Sequence, residues 1–180
     1  MTPPLAVLLI LAAALTLAGC GAGDTRAPGE VRLDTPDLVI SAYQGAETLG
    51  GDEVALSTLL AQGKPVVVNF WAALCPPCRA EMPDFQEVAA KRAHEVTVLG
   101  VDIGPQVLLG SREQGQALLA ELGITYPAGT TFDDAVTRNF KVLGMPTTLF
   151  FYPDGRLLRS WSGLMPREKL EELIDQLLAG

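Results

Sequence analysis

The chain is poor in the residues that build metal centres, with one histidine and three cysteines in 180 positions. A structural zinc site usually takes four Cys or His ligands, so zinc is poorly supported. The single histidine, His94, sits in Lys91-Arg92-Ala93-His94-Glu95, which reads as the solvated end of a helix. Basic clusters are missing as well. Thirteen Lys and Arg stand against twenty-one Asp and Glu, for a net charge of -8 and a pI near 4.6. Such a chain argues against nucleic-acid binding, because nothing in it would release counterions from a phosphate backbone. There is no internal repeat and no sign of a second domain, and the length suits one domain with a buried core.

A continuous membrane-spanning run is also absent. The first charged residue is Asp24, and Leu5 to Gly19 are nearly all apolar. That run is short of the about 20 residues that cross a bilayer and fits the core of a signal peptide. It ends in Leu17-Ala18-Gly19-Cys20, which resembles the bacterial lipobox and implies lipid attachment at Cys20. The start, Met1-Thr2-Pro3-Pro4, lacks the Lys or Arg expected there, and an uncleaved signal anchor is the alternative. Residues 1–19 are thus expected to be a signal peptide, 20–36 a flexible tether rich in small and polar residues, and 37–180 the folded domain.

Within that domain, Leu38 to Tyr43 reads as a strand and Val54 to Leu60 as a short element closing the entry to the core. Val66 to Trp71 is β-branched and aromatic without alternation, as in a central strand covered on both faces. Met82, Phe85, Val88 and Ala89 recur at helical spacing after Pro76, with Pro83 inside that helix. Val96 to Val101 reads as a second buried strand, and Glu113–Leu122 and Ala135–Leu143 as helices. Thr147 to Ser162 reads as a hairpin turning at Pro153-Asp154-Gly155, and Pro166 to Leu178 as an amphipathic closing helix. The class is α/β, with helices over a mixed or parallel sheet.

The chemistry gathers at Cys75-Pro76-Pro77-Cys78. In an oxidising compartment a lone CxxC reads as a redox pair rather than a staple. Cys75 falls where strand gives way to helix, so orphan backbone N–H groups and the helix dipole favour a thiolate there. Cys78, one turn on, would resolve a mixed disulfide. Pro76 and Pro77 fit a first helical turn but withhold backbone donors from the sulfur. Trp71 should pack beside the pair. Gly144-Met145-Pro146 offers a candidate cis-proline turn whose Met145 backbone could meet an extended peptide. Glu81 reads first as a partner of the helix dipole and second as an acid or base. Gly104 to Gly110 reads as a loop after the second buried strand, and its Val107-Leu108-Leu109 either packs on Leu118 and Leu119 or forms part of a docking edge beside Cys75.

Asn69-Phe70-Trp71-Ala72, the segment Cys75 to Pro83, Gly144 to Thr148 and Pro153-Asp154-Gly155 together resemble the thioredoxin fold, and within it the membrane-tethered TlpA/ResA-like oxidoreductases. The resemblance implies a central mixed sheet flanked by helices, with an N-terminal β extension and an inserted helical segment. It implies Cys75 as nucleophile, Cys78 as resolving thiol and Pro146 as the cis-proline, with Trp71, Pro76, Pro77, Met145 and Glu81 in support. No cofactor beyond the Cys75–Cys78 disulfide is expected. Partners would be exported proteins with disulfides, such as apocytochrome c, and a membrane thiol transporter as electron donor. Asn69 stands where cytoplasmic thioredoxins carry a buried acid, which leaves the base for Cys78 undefined. A peroxiredoxin-like peroxidase is the nearest rival, but no Thr-x-x-Cys precedes Cys75. A thioredoxin-like copper chaperone is the rival from another class, with Met145 its only added ligand.

Overall fold

Val66–Trp71, the apolar run without alternation, is buried along its whole length in the computed structural model, which describes residues 31–180. It is strand β3. The strands before it are β1 (Val39–Gln44) and β2 (Glu53–Ala55), with helical turns α1 (Ala46–Leu49) and α2 (Leu56–Leu60). After it come α3 (Pro76–Lys91), β4 (Thr97–Asp102), α4 (Gly104–Val107), α5 (Arg112–Glu121) and β5 (Ala128–Thr130). The chain closes with α6 (Val136–Asn139), β6 (Thr147–Phe151), β7 (Leu157–Ser162) and α7 (Arg167–Ala179).

One mixed sheet runs β2-β1-β5-β4-β3-β6-β7. Strands β3, β4 and β5 are parallel, while β1 pairs antiparallel to β5 and β6 antiparallel to β3. This is the thioredoxin-like sheet with its N-terminal β extension, and α4 and α5 form the segment between β4 and β5. Because side chains alternate along a strand, β3 feeds two cores. Val67 and Trp71 pack with Met82 and Phe85 of α3 and Ile174 of α7. Val66, Val68 and Phe70 pack with Leu56 and Leu60 of α2 and with Phe140 on the other side. Asn69 has the parity of Val67 and Trp71, so the sheet turns its amide toward α3.

The structure departs from the sequence reading in four places. Ala128–Thr130 is a strand, although three residues with a central glycine give no periodicity to read. A Cβ on Gly129 would lie 2.4 Å from the Ser41 carbonyl oxygen, so β1 and β5 approach only because glycine is there. The helix expected over Ala135–Leu143 is a single turn, stopped by Lys141 at φ 53°. The Val142 and Lys141 N–H groups bond back to Thr137 and Arg138, a Schellman closure in which lysine holds the position glycine usually takes. Gly104–Val107, expected as loop, is likewise one helical turn, ending at Leu108 with φ 59°. Finally, packing starts before residue 37. Val31 and Leu33 lie against the second core, and Asp34 bonds to Gly155 and Leu157 at the β6–β7 turn. The expected signal peptide, Cys20 and the tether as far as residue 30 lie outside the described residues. Among the described residues no helix is long and apolar enough to cross a membrane.

Candidate active site

Strand β3 delivers the chain to the N-terminus of α3, and the two cysteines sit at that junction. Cys75 is the N-cap residue in extended conformation, and its Sγ accepts the Cys78 N–H at 3.3 Å. Cys75 and Cys78 are joined as a disulfide, with Cα atoms 5.3 Å apart. A capping side chain takes its bond from the second or third helical residue. Pro77 is the second and has no N–H, so the third, Cys78, is the donor that remains. Pro76 at the first position removes an N–H that does not serve the cap. Of the two prolines, then, Pro77 is the one that withholds a bond from the sulfur.

The Met145–Pro146 peptide bond is cis, and Met145 and Cys75 line one groove. Trp71 is fully buried below the pair, with its indole Nε1 unpartnered. The room for that ring comes from Gly100 on the adjacent strand, where a Cβ would lie 2.9 Å from Nε1.

Glu81 does not serve the helix dipole at the surface. It is buried, one turn after Cys78 on α3. Its Oε1 accepts from Asn69 Nδ2 at 2.8 Å and its Oε2 from the Met165 N–H at 2.8 Å. The same Asn69 nitrogen donates to Thr148 Oγ1 at 3.0 Å, and Asn69 and Thr148 are direct cross-strand partners. Burial pushes the Glu81 carboxyl up to about 7, against the downward pull of the Met165 and Asn69 bonds. Asn69 Oδ1 is left without a partner. An amide can therefore serve either charge state of this acid, donating through Nδ2 to the carboxylate or accepting through Oδ1 from the carboxylic acid. A buried carboxyl titrating near neutrality beside a dithiol is equipped to take and return a proton.

A second buried acid lies at the same end of the sheet. Asp102 pairs with Trp71 across β3 and β4. Its carboxylate accepts the Gly104 N–H at 2.8 Å and the Tyr43 hydroxyl at 3.1 Å, and burial raises its pKa to about 6. By holding Gly104 it fixes the start of α4. That turn is tied in turn to the dithiol loop, since Leu74 N–H donates to the Leu109 carbonyl at 2.9 Å. Leu108 does not pack on Leu118 and Leu119; it is 91% exposed.

The sequence thus brought Cys75, Cys78, Trp71, Met145 and Pro146 to one place, and the fold adds Asn69, Glu81 and Thr148 as one hydrogen-bonded set. Thr148 ends the Gly144-Met145-Pro146-Thr147-Thr148 segment, yet nothing in that segment says its hydroxyl meets Asn69. The Met165 N–H and Asp102 carried no signal, being a backbone group far along the chain and one acid among many.

Residues 35–160 match the AhpC/TSA family. The chain is 31% identical over 172 residues to the thiol-disulfide oxidoreductase ResA of Oceanobacillus iheyensis, covering 95% of this chain and 85% of that one. It is 30% identical to the thiol:disulfide interchange protein HelX of Rhodobacter capsulatus, over 74% of this chain and 72% of that one. Among solved structures, a putative thiol:disulfide interchange protein DsbE from Chlorobium tepidum superposes with a TM-score of 0.66 at 26% identity, covering 82% of this chain and 99% of the other. With the dithiol at the strand–helix junction and this degree of kinship, the chain belongs to the AhpC/TSA family and is a ResA-like thiol-disulfide oxidoreductase of thioredoxin fold.

Proposed function

We propose that the protein reduces disulfides of exported proteins outside the cytoplasm, held to the membrane by lipid on Cys20, with the Cys75–Cys78 pair as its redox group. The observation that carries the catalytic part is the buried Glu81–Asn69–Thr148 set one helical turn behind Cys78. In the reduced protein the Cys75 thiolate attacks one sulfur of the client disulfide. The client S–S bond breaks, one client sulfur leaves as a thiolate that takes a proton from water, and a Cys75–client disulfide forms. Glu81 accepts the thiol proton of Cys78, which then attacks Cys75 Sγ. The second client sulfur departs as a thiolate and is protonated, leaving the Cys75–Cys78 disulfide. Two electrons have passed to the client, and a membrane thiol transporter is the donor that restores the dithiol. The cis Met145–Pro146 turn offers its backbone to the client strand during this exchange.

The apolar leader and Leu17-Ala18-Gly19-Cys20 support the location. The resemblance to TlpA/ResA-like proteins supports apocytochrome c among the clients. Trapping tests the reading directly: a Cys78→Ser protein should accumulate disulfide-linked adducts through Cys75, which mass spectrometry identifies. Insulin reduction surviving in Cys75→Ala would overturn the assignment. For the anchor, metabolic labelling with a fatty acid should mark the parent protein and not Cys20→Ser, and an unlabelled parent would leave the uncleaved signal anchor as the tether.

A further inference from the structure

On the footing of that exchange reading, we propose that the groove beside Cys75 selects clients that carry a large aliphatic or aromatic side chain within roughly two residues of the reacting cysteine. The groove has a volume of about 410 Å³ and runs from Cys75 between two walls. One wall is the α4 turn, presenting Val107 and Leu109; the other is the segment after α6, presenting Val142 and Leu143. No charged side chain lines it.

Three observations say that the groove is built for a partner. Leu143 is 94% exposed on one wall, and Leu108, between two lining residues of the other, is 91% exposed, more than any other large apolar residue described. Leu74, on the loop between the walls, adds a third open leucine at 56%. Apolar surface concentrated in this way beside a reactive group marks a contact region. Next, two non-glycine residues with left-handed backbone are found among the described residues, Leu108 and Lys141, and each stands at one wall. Non-glycine residues adopt that conformation at a cost, and such strain collects where function needs it. Leu108 is itself one of the exposed leucines, and Lys141 closes α6 two residues before Leu143. Lastly, the α4 wall is fixed rather than loose, through Asp102 to Gly104 and through Leu109 to Leu74.

The occupant follows from stereochemistry. A client sulfur must touch Cys75 Sγ to exchange, so the chain on either side of the client cysteine lies across the groove that Cys75 itself lines. With apolar walls and no charge, the favourable neighbour is a leucine- or phenylalanine-like side chain, and a charged one would be desolvated without a partner.

The test uses pre-reduced protein and a set of disulfide-linked peptides in which leucine, serine, lysine or aspartate is scanned over the two positions on either side of the cysteine. The second-order rate of oxidation of the protein is read by tryptophan fluorescence. Leucine should exceed serine by about tenfold at one position at least, the size expected of one apolar side chain in a pocket. Leu143→Asp and Leu108→Asp should reduce that ratio to about twofold or less and favour the lysine peptide over the aspartate peptide. Both side chains are exposed, so the variants keep the melting temperature of the parent, and Leu178→Ser, on the far helix, keeps the leucine preference. Equal rates for all peptides with the parent protein, or a preference intact in both aspartate variants, overturn the groove while leaving disulfide exchange standing. Rates no faster than a free dithiol on every peptide overturn the exchange reading itself.

Discussion

Glu81 and Pro77 show how much one residue's surroundings decide here. In the sequence Glu81 is a glutamate two turns into a helix, and solvation near a dipole is the ordinary explanation. Its burial depends on Asn69 facing α3 and on Met165 arriving from beyond β7, contacts that no local pattern encodes. With its pKa near 7, Glu81 is increasingly able to take a proton as pH rises through neutrality. The rate of mixed-disulfide resolution should therefore climb through about pH 7. In Glu81→Gln that climb should vanish and the resolution rate fall on the order of a hundredfold, as single-turnover stopped-flow measurements of client-thiol release by protein with both cysteines intact would report. Pro77→Ala restores an N–H aimed at Cys75 Sγ and favours the thiolate of the reduced form. A bond to a charged group is worth about 1.5 kcal/mol, and equilibration with glutathione should show a reduction potential about 30 mV higher. An unchanged potential would mean that the Cys78 N–H already saturates the sulfur.

At the scale of elements, long periodic segments were legible and short ones were not. The runs that became β3, β4, α3 and α7 carried enough apolar residues to reveal both their period and their burial. Strand β5 was illegible because its identity lies in a close approach rather than in a pattern. Gly129→Ala should drive a Cβ into the Ser41 backbone and destabilise the fold by about 2 kcal/mol, within the usual range for overpacking. Urea denaturation would measure the loss, and a midpoint equal to that of the parent would show that β1 can shift without cost. The end of α6 was illegible for the opposite reason: Lys141 is a good helix former that the Schellman closure holds in a left-handed conformation. The dithiol was readable because its chemistry is carried by two residues close in sequence. Its proton-handling set was not, being assembled from β3, α3, β6 and the approach to α7.

For the molecule as a whole, two buried acids govern how stability follows pH. Glu81 and Asp102 have folded pKa values of about 7 and about 6, above their ordinary values of 4.5 and 3.8. The folded state thus binds protons more tightly than the unfolded one. The stabilisation is fully present below the unfolded values and is lost as pH rises through 6 and 7. Between pH 5 and pH 8 Glu81 should remove roughly 2 to 3 kcal/mol and Asp102 roughly 1 kcal/mol, so the urea midpoint of the oxidised protein should be higher at pH 5, and Glu81→Gln should shrink the difference by more than half. The docking of residues 31–34 on the β6–β7 turn has a consequence for traffic at a membrane. That turn lies at the pole of the sheet opposite Pro146, because β6 begins beside the dithiol and ends there. On the proposed attachment at Cys20, the domain would be held from the pole opposite the dithiol, with Cys75 facing away from the membrane. A donor in the bilayer would then reach the dithiol only after the domain turned over, so reorientation as well as sulfur chemistry would enter the rate of each cycle.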